Sequence, residues 1–323
     1  MKTVCVCGFA LTSLLASACG AYLEPVDYRE EMRKLVMELS EYADRQAPGF
    51  YIVPQNGQEL ATDSGEATDF IRYDYLHSID GVGREDLLFG YDGDDLPTPE
   101  QETLYMKGLC DLFLANGIAV LVTDYCATWN KVHDSYLINN DYGYISFAAD
   151  QRDLTTIPAY PADPYNENAD DILSPAEARN FLYLINSQNY YSKQDFIDAV
   201  ADTNFDMVIM DLFHEGEPYT AEEISELKYK NNGGRRLVLC YASIGEAEDY
   251  RYYWQDGWTT DNPNWFEAEN ADWEGNYKVR YWDPEWQGII FGNDDSYVKK
   301  IIDTGFDGAY LDIIDAFEYF EAL

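Results

Sequence analysis

The stretch Gly305-Phe-Asp-Gly-Ala-Tyr-Leu-Asp-Ile-Ile-Asp-Ala-Phe-Glu-Tyr-Phe320 decides the fold. A short apolar run opened by glycines ends on Asp312 and Asp315, the pattern of a buried strand whose carboxyl end delivers acids to a site. The same unit recurs upstream in Leu237-Val-Leu-Cys-Tyr241, Met207-Val-Ile-Met-Asp211 and Ile118-Ala-Val-Leu-Val-Thr-Asp124, and in Phe50-Tyr-Ile-Val-Pro54, which runs into Gln55-Asn56-Gly57. Helix signals lie between the strands: apolar residues at helical spacing from Asp27 to Arg45, Thr98-Pro99 opening a helix that runs to about Asn116, a cap at Ser192, and a capping box from Thr220 to Glu223. This α/β alternation predicts parallel strands with helical crossovers, and its length favours a closed (β/α)8 TIM barrel over an open sheet. Strand candidates begin near Phe50, Ser78, Val120, Tyr144, Phe181, Met207, Leu237, Val279 and Ala309, one more than a barrel needs, and Tyr144 is the first to set aside. The Pro-, Asp- and Asn-rich stretch from Ile157 to Pro175 reads as a long surface loop, either a rim of the site or a seam between two halves.

Bulk composition narrows the partners. A chain of 323 residues with 46% hydrophobic residues can bury a large core, while 60 acidic against 21 basic residues give a formal net charge of −39. Such a field repels nucleic acid and anionic membranes and draws in cations, a polycationic substrate included. The start of the chain has a charged Met1-Lys-Thr, an apolar run through Leu15 too short to span a bilayer, and small residues before Cys19. Residues 1–18 therefore read as a secretory signal peptide and 19–323 as one domain, secreted or held at the cell surface. Cys19 is a candidate lipoprotein attachment point and the one expected link to a membrane, although Ala16 stands where bacterial lipoprotein signals usually carry Leu.

Cys110, Cys126 and Cys240 lie in or beside apolar runs with no Cys-x-x-Cys pair, so they read as packed thiols. His77, His133 and His214 are isolated, Asp92-Gly-Asp-Asp95 lacks the spacing of a calcium loop, and no Gly-x-Ser-x-Gly turn occurs. No cofactor and no metal is expected.

The acids carry the functional signal. Asp124, Asp211, Asp312 and the Glu246/Glu248 pair fall at or just after the carboxyl ends of predicted strands. Glu85 follows the glycine-bounded strand Ser78-Ile-Asp-Gly-Val-Gly83, with Arg84 as the expected counter-charge. In a barrel those ends converge on one face. Tyr241, Tyr250, Tyr252, Tyr253, Trp254, Trp258, Tyr281, Trp282 and Trp286 crowd the same regions. Carboxylates beside aromatic faces are what a sugar cleft requires, since acids bond hydroxyl or amino groups and rings cover apolar sugar faces.

Tyr241-Ala-Ser-Ile-Gly-Glu-Ala-Glu-Asp-Tyr-Arg251, Tyr281-Trp-Asp-Pro-Glu-Trp-Gln287 and Gly305-Phe-Asp-Gly-Ala-Tyr-Leu-Asp-Ile-Ile-Asp315 resemble the extracellular barrel family related to glycoside hydrolase family 114, the endo-alpha-1,4-polygalactosaminidases. The resemblance implies a catalytic pair of Asp312, as nucleophile or base, and Glu85, as acid. Asp211, Glu248, Arg251 and Asp124 match recurrent site positions that would bind the sugar. Asn56, Tyr241, Glu246 and Trp282 join them as substrate-binding candidates, with Asp315 supporting Asp312. Two departures stand out: Tyr310 occupies a position where Glu commonly precedes the strand-end aspartate, and the Leu-Asp strand ends the chain instead of preceding the Pro-Gln-Asn-Gly and Glu strands, as in a circular permutation. A closed barrel tolerates that because its first and last strands are neighbours. The implied activity is cleavage within an alpha-linked galactosamine polysaccharide by paired carboxylates, with the stereochemical outcome open. The alternative is a non-catalytic glycan-binding surface lipoprotein on the same barrel.

Overall fold

The computed structural model describes residues 26–323. The expected signal peptide and Cys19 lie outside the described residues. Eight parallel strands carry the core: β1 Tyr51–Pro54, β2 Gly81–Glu85, β3 Ala119–Tyr125, β4 Ile145–Ala149, β5 Phe181–Tyr183, β6 Met207–Met210, β7 Leu237–Ser243 and β8 Gly308–Asp312. They form a five-stranded sheet in the order β1-β8-β7-β6-β5 and a three-stranded sheet in the order β2-β3-β4, every pairing parallel. β3, β4, β6 and β7 are buried along their whole length, which is why they read as continuous apolar runs and not as alternating ones.

Helices fill most crossovers, among them Glu100–Ala115, Trp129–Tyr142, Lys193–Ala201 and Ala221–Leu227. Ser192 caps the third through the Asp195 amide, and Thr220 with Glu223 forms the full capping box of the fourth. Thr98 does not cap Glu100–Ala115: its hydroxyl donates instead to the Asp86 carbonyl at 2.7 Å, tying the loop after β2 in place. The first helix, Tyr28–Gln46, lies beside the last, Ala316–Glu321, with the Tyr28 and Phe320 rings 5.4 Å apart and Arg29 paired to Glu321 at 2.9 Å.

The two sheets meet at two seams. At one, Gln55 beyond β1 bridges Gly83 of β2 in parallel, and the Asn56 amide donates to the Gly83 carbonyl at 2.9 Å. At the other, β4 and β5 share no ladder among the described residues, and the Phe147 and Phe181 rings pack across the gap at 5.8 Å. The crossover between β4 and β5 has no α-helix, only the turn Pro175–Glu177, and it contains the Ile157–Pro175 stretch. Asn168 of that stretch is pinned to Asp206, which is itself paired with the fully buried Lys230 at 2.8 Å. Of its two expected roles the loop takes the seam.

The structure corrects the count of strands. Ile145–Ala149 is a buried strand paired with β3, so the Tyr144 candidate belongs to the parallel set. The candidate near Val279 is the accessory: Asn276–Val279 is the centre of an antiparallel sheet with Glu246–Glu248 and Phe266–Glu269, built over the loop after β7. A run as short as Tyr144-Ile-Ser-Phe147 is weak in sequence because only its pairing with β3 and its burial identify it.

Candidate active site

Three strands leave their sheet through a left-handed residue placed just after a polar side chain. Gln55 is followed by Asn56 (φ 62°), Glu85 by Asp86 (φ 59°) and Asp312 by Ile313 (φ 59°). For a β-branched residue this backbone is strained, on the order of 1–3 kcal/mol, and the surroundings must hold it. The Ile313 amide donates to Asp312 Oδ1 at 2.8 Å, and the Ile244 amide to the Asp312 carbonyl at 3.1 Å. Gly245 leaves room for this turn: a Cβ there would lie 2.1 Å from the Ile313 carbonyl oxygen. Gly83 does the same one layer down, where a Cβ would lie 1.9 Å from the Tyr310 hydroxyl. The sharp exits aim Gln55, Glu85 and Asp312 into one open cleft of about 460 Å³.

Within it Gln55 Nε2 donates to both acids, at 2.8 Å to Glu85 Oε2 and 3.2 Å to Asp312 Oδ1. Glu85 also accepts from Asn56 Nδ2 at 3.0 Å and from the Tyr125 hydroxyl, and Asp312 accepts from the Tyr241 hydroxyl at 2.6 Å. All these side-chain donors are neutral. The expected counter-charge is absent, because Arg84 turns away to Gln58 Oε1 and to the Glu85 carbonyl. Burial, then the nearby Glu85 charge, push the Asp312 carboxyl up to about 8. Beside Glu85, Asp86 rises to about 6, again chiefly through burial, with Arg152 opposing at 3.0 Å. The Arg152 guanidinium also covers the Tyr125 ring at 3.9 Å.

A second acid pair lies further along the cleft. Arg251 bonds Asp211 at 2.7 Å and Glu248 at 2.6 Å, and the Tyr250 hydroxyl donates to Glu248. Burial opposes the Arg251 charge, but Asp211 and Glu248 outweigh it and hold the guanidinium well above its ordinary value. Burial still lifts Asp211 above the usual carboxylate range. Ile185, Asn186, Asp211, Tyr250 and Arg251 are shared with an adjoining hollow of about 430 Å³, so the cleft runs on past this pair.

Residues 162–322 match the model of glycoside-hydrolase family GH114. This half of the chain belongs to family GH114. The GH114 segment supplies β5 to β8 and with them Asp211, Tyr241, Glu248, Arg251 and Asp312, whereas Gln55, Glu85 and Tyr125 come from the preceding half. Similar proteins are an uncharacterized protein of Methanocaldococcus jannaschii, 42% identical over 47% of this chain and 41% of its own, and one of Thermotoga maritima, 39% identical over 37% and 36%. A third, from Deinococcus radiodurans, is 40% identical over 39% and 38%. The matched stretches span about two fifths of each relative.

Asn56, Tyr241, Glu248, Arg251, Asp211 and Asp315 all line the cleft with Glu85 and Asp312. Asp315 stands at the start of Ala316–Glu321, pushed up to about 7 by burial and then by Glu318. Three expected contacts do not join them. Asp124 is fully buried and accepts from the Leu88 and Phe89 amides, Ser135 and Asn139, so it organises the loop after β2. Glu246 faces Lys278 at 3.0 Å in the accessory sheet, and Trp282 packs between Tyr28 and Phe320. The residues that sequence reading missed are Tyr125, Tyr183 and Arg152, and the bridging role of Gln55. The two tyrosines sit inside apolar strands where a hydroxyl gives no signal. Among the described residues no cluster of His, Cys, Asp and Glu could hold a metal, and no helix is long and apolar enough to cross a membrane.

Proposed function

We propose that the protein is a secreted glycoside hydrolase that cuts within an alpha-linked galactosamine polysaccharide, on a (β/α)8 barrel whose ladder is interrupted between β4 and β5. The observation that carries this reading is the Glu85–Asp312 pair: two carboxyls sharing one amide donor at the floor of an open cleft, with no cation between them. Paired carboxyls of this kind protonate a leaving glycosidic oxygen and attack, or activate water, on the sugar. The contiguous hollows give room for several sugar units, which suits internal cleavage, and the exposed Tyr250 offers a ring beside them. The acidic field suits a cationic, deacetylated polymer. β1 pairs with β8, so these two strands are neighbours as a permuted order requires. The amino-terminal signal, with or without a lipid on Cys19, would export the protein.

Burial and the nearby Glu85 charge raise the Asp312 carboxyl, so the pair shares one proton, and one carboxyl serves as the acid while the other attacks or activates water. Digestion of alpha-1,4-galactosamine polymers with and without N-acetyl groups, followed by mass spectrometry, tests the activity. Oligomers of several units are expected, and no product from any of these polymers would sink the substrate claim. A binder without turnover would retain the polymer and release nothing.

A further inference from the structure

We propose that Gln55 is a positioning residue that holds Glu85 and Asp312 together as one coupled pair. The inference rests on the hydrolase reading above and goes further by naming the residue that joins its two acids. One nitrogen lies 2.8 Å from Glu85 Oε2 and 3.2 Å from Asp312 Oδ1, so those oxygens can be no more than 6.0 Å apart, the two distances laid end to end. The two N–H bonds of an amide diverge by roughly 120°, which sets these two oxygens about 5 Å apart.

The amide cannot turn over freely. Its Oε1 accepts from the Tyr183 hydroxyl at 2.8 Å, which fixes the oxygen toward β5 and the nitrogen toward the acids. Tyr183 is fully buried and its ring packs on Tyr310 at 5.2 Å, so the hydroxyl is itself immobile. The Gln55 side chain is buried, and its backbone amide is tied to the Leu311 carbonyl at 2.7 Å, one residue before Asp312. Four strands thus converge on one amide group: β1 carries it, β5 orients it, and β2 and β8 present the acids.

The test has two readouts on the full chain. The first is a carboxyl 13C NMR titration without ligand, assigned with Glu85→Gln and Asp312→Asn. Gln55→Leu removes a donor that favours both charged forms, so the apparent pKa values of the pair should rise, and Tyr183→Phe should shift them the same way by less. The same variants should lower kcat by about 10²-fold for Gln55→Leu with KM changed far less, because positioning and not binding is lost. That turnover, on a deacetylated alpha-1,4-galactosamine oligomer, is the second readout. An unchanged titration in both variants overturns the role of Gln55, as does a wild-type kcat for Gln55→Leu. Failure of the wild-type enzyme to cut any glycan would instead refute the hydrolase reading, leaving the titration to decide whether Gln55 couples the two acids.

Discussion

The Glu85–Asp312 pair and the Asp211–Glu248 pair line the same cleft, yet the first is joined by the Gln55 amide and the second by the Arg251 guanidinium. A guanidinium between two carboxylates offsets one of their two charges with charge-assisted hydrogen bonds, although burial still lifts Asp211 above the usual carboxylate range. An amide satisfies hydrogen bonds without supplying charge, so two acids held by it cannot both ionise cheaply, and one keeps a proton. On the proposed hydrolase reading, the difference separates the pair suited to proton transfer from the pair suited to holding a substrate group in place. It follows from the donors alone, since both pairs are carboxylates in the same partly dry cleft.

The largest expected effect comes from removing the proton-transfer pair. Asp312→Asn and Glu85→Gln should each lower polymer cleavage by at least about 10³-fold with circular dichroism unchanged. An aryl glycoside with a good leaving group assigns the roles, because the variant at the acid keeps much more activity on it than the variant at the nucleophile or base: Glu85→Gln should outperform Asp312→Asn if Glu85 is the acid, and the opposite order would make Asp312 the acid. Next in size is the loss of charge from the other pair. Arg251→Met leaves Asp211 and Glu248 buried without their cation and should cost about 3–5 kcal/mol, read from the denaturant midpoint. A midpoint close to wild type would show that the two pairs differ less than their donors imply.

The remaining effect is a pH dependence of stability. Burial and then the Glu85 charge push Asp312 up to about 8 in the folded protein, against about 4 in the unfolded chain, so the folded state holds a proton that the unfolded state sheds. Its contribution to stability therefore falls as pH rises from about 4 to about 8. Asp312→Asn carries no such burden, and its stability relative to wild type should climb across that window in denaturation curves taken at successive pH values. A constant difference would mean that Asp312 is ionised throughout.

Much of this was legible along the chain. The apolar strands, the capping box at Thr220 and the acids at Asp211 and Asp312 are local patterns, because a strand buried on both faces and a helix start each impose composition on a few consecutive residues. Where reading failed, the deciding contact was distant. Asp124 closes an apolar run in the sequence as Asp211 does, yet Ser135, Asn139 and two amides of the loop after β2 enclose it. Trp282 lies in a motif full of aromatics and serves the packing of the first and last helices. Tyr144 and Val279 exchanged places as strand and accessory, since pairing partners and not local composition separate a parallel strand from an antiparallel one.

By itself the sequence determined the α/β alternation, the acidic character and the supply of carboxyls near strand ends, because burial, capping and net charge depend on residues near in the chain or on their sum. Tertiary structure alone decided which acids meet. Gln55 and Asp312 stand near opposite ends of the chain, and a single shared amide hydrogen-bond donor brings them together with Glu85. Distances of about 3 Å between residues so far apart in sequence are fixed by how the strands pair and how each one turns out of its sheet. No local pattern encodes that.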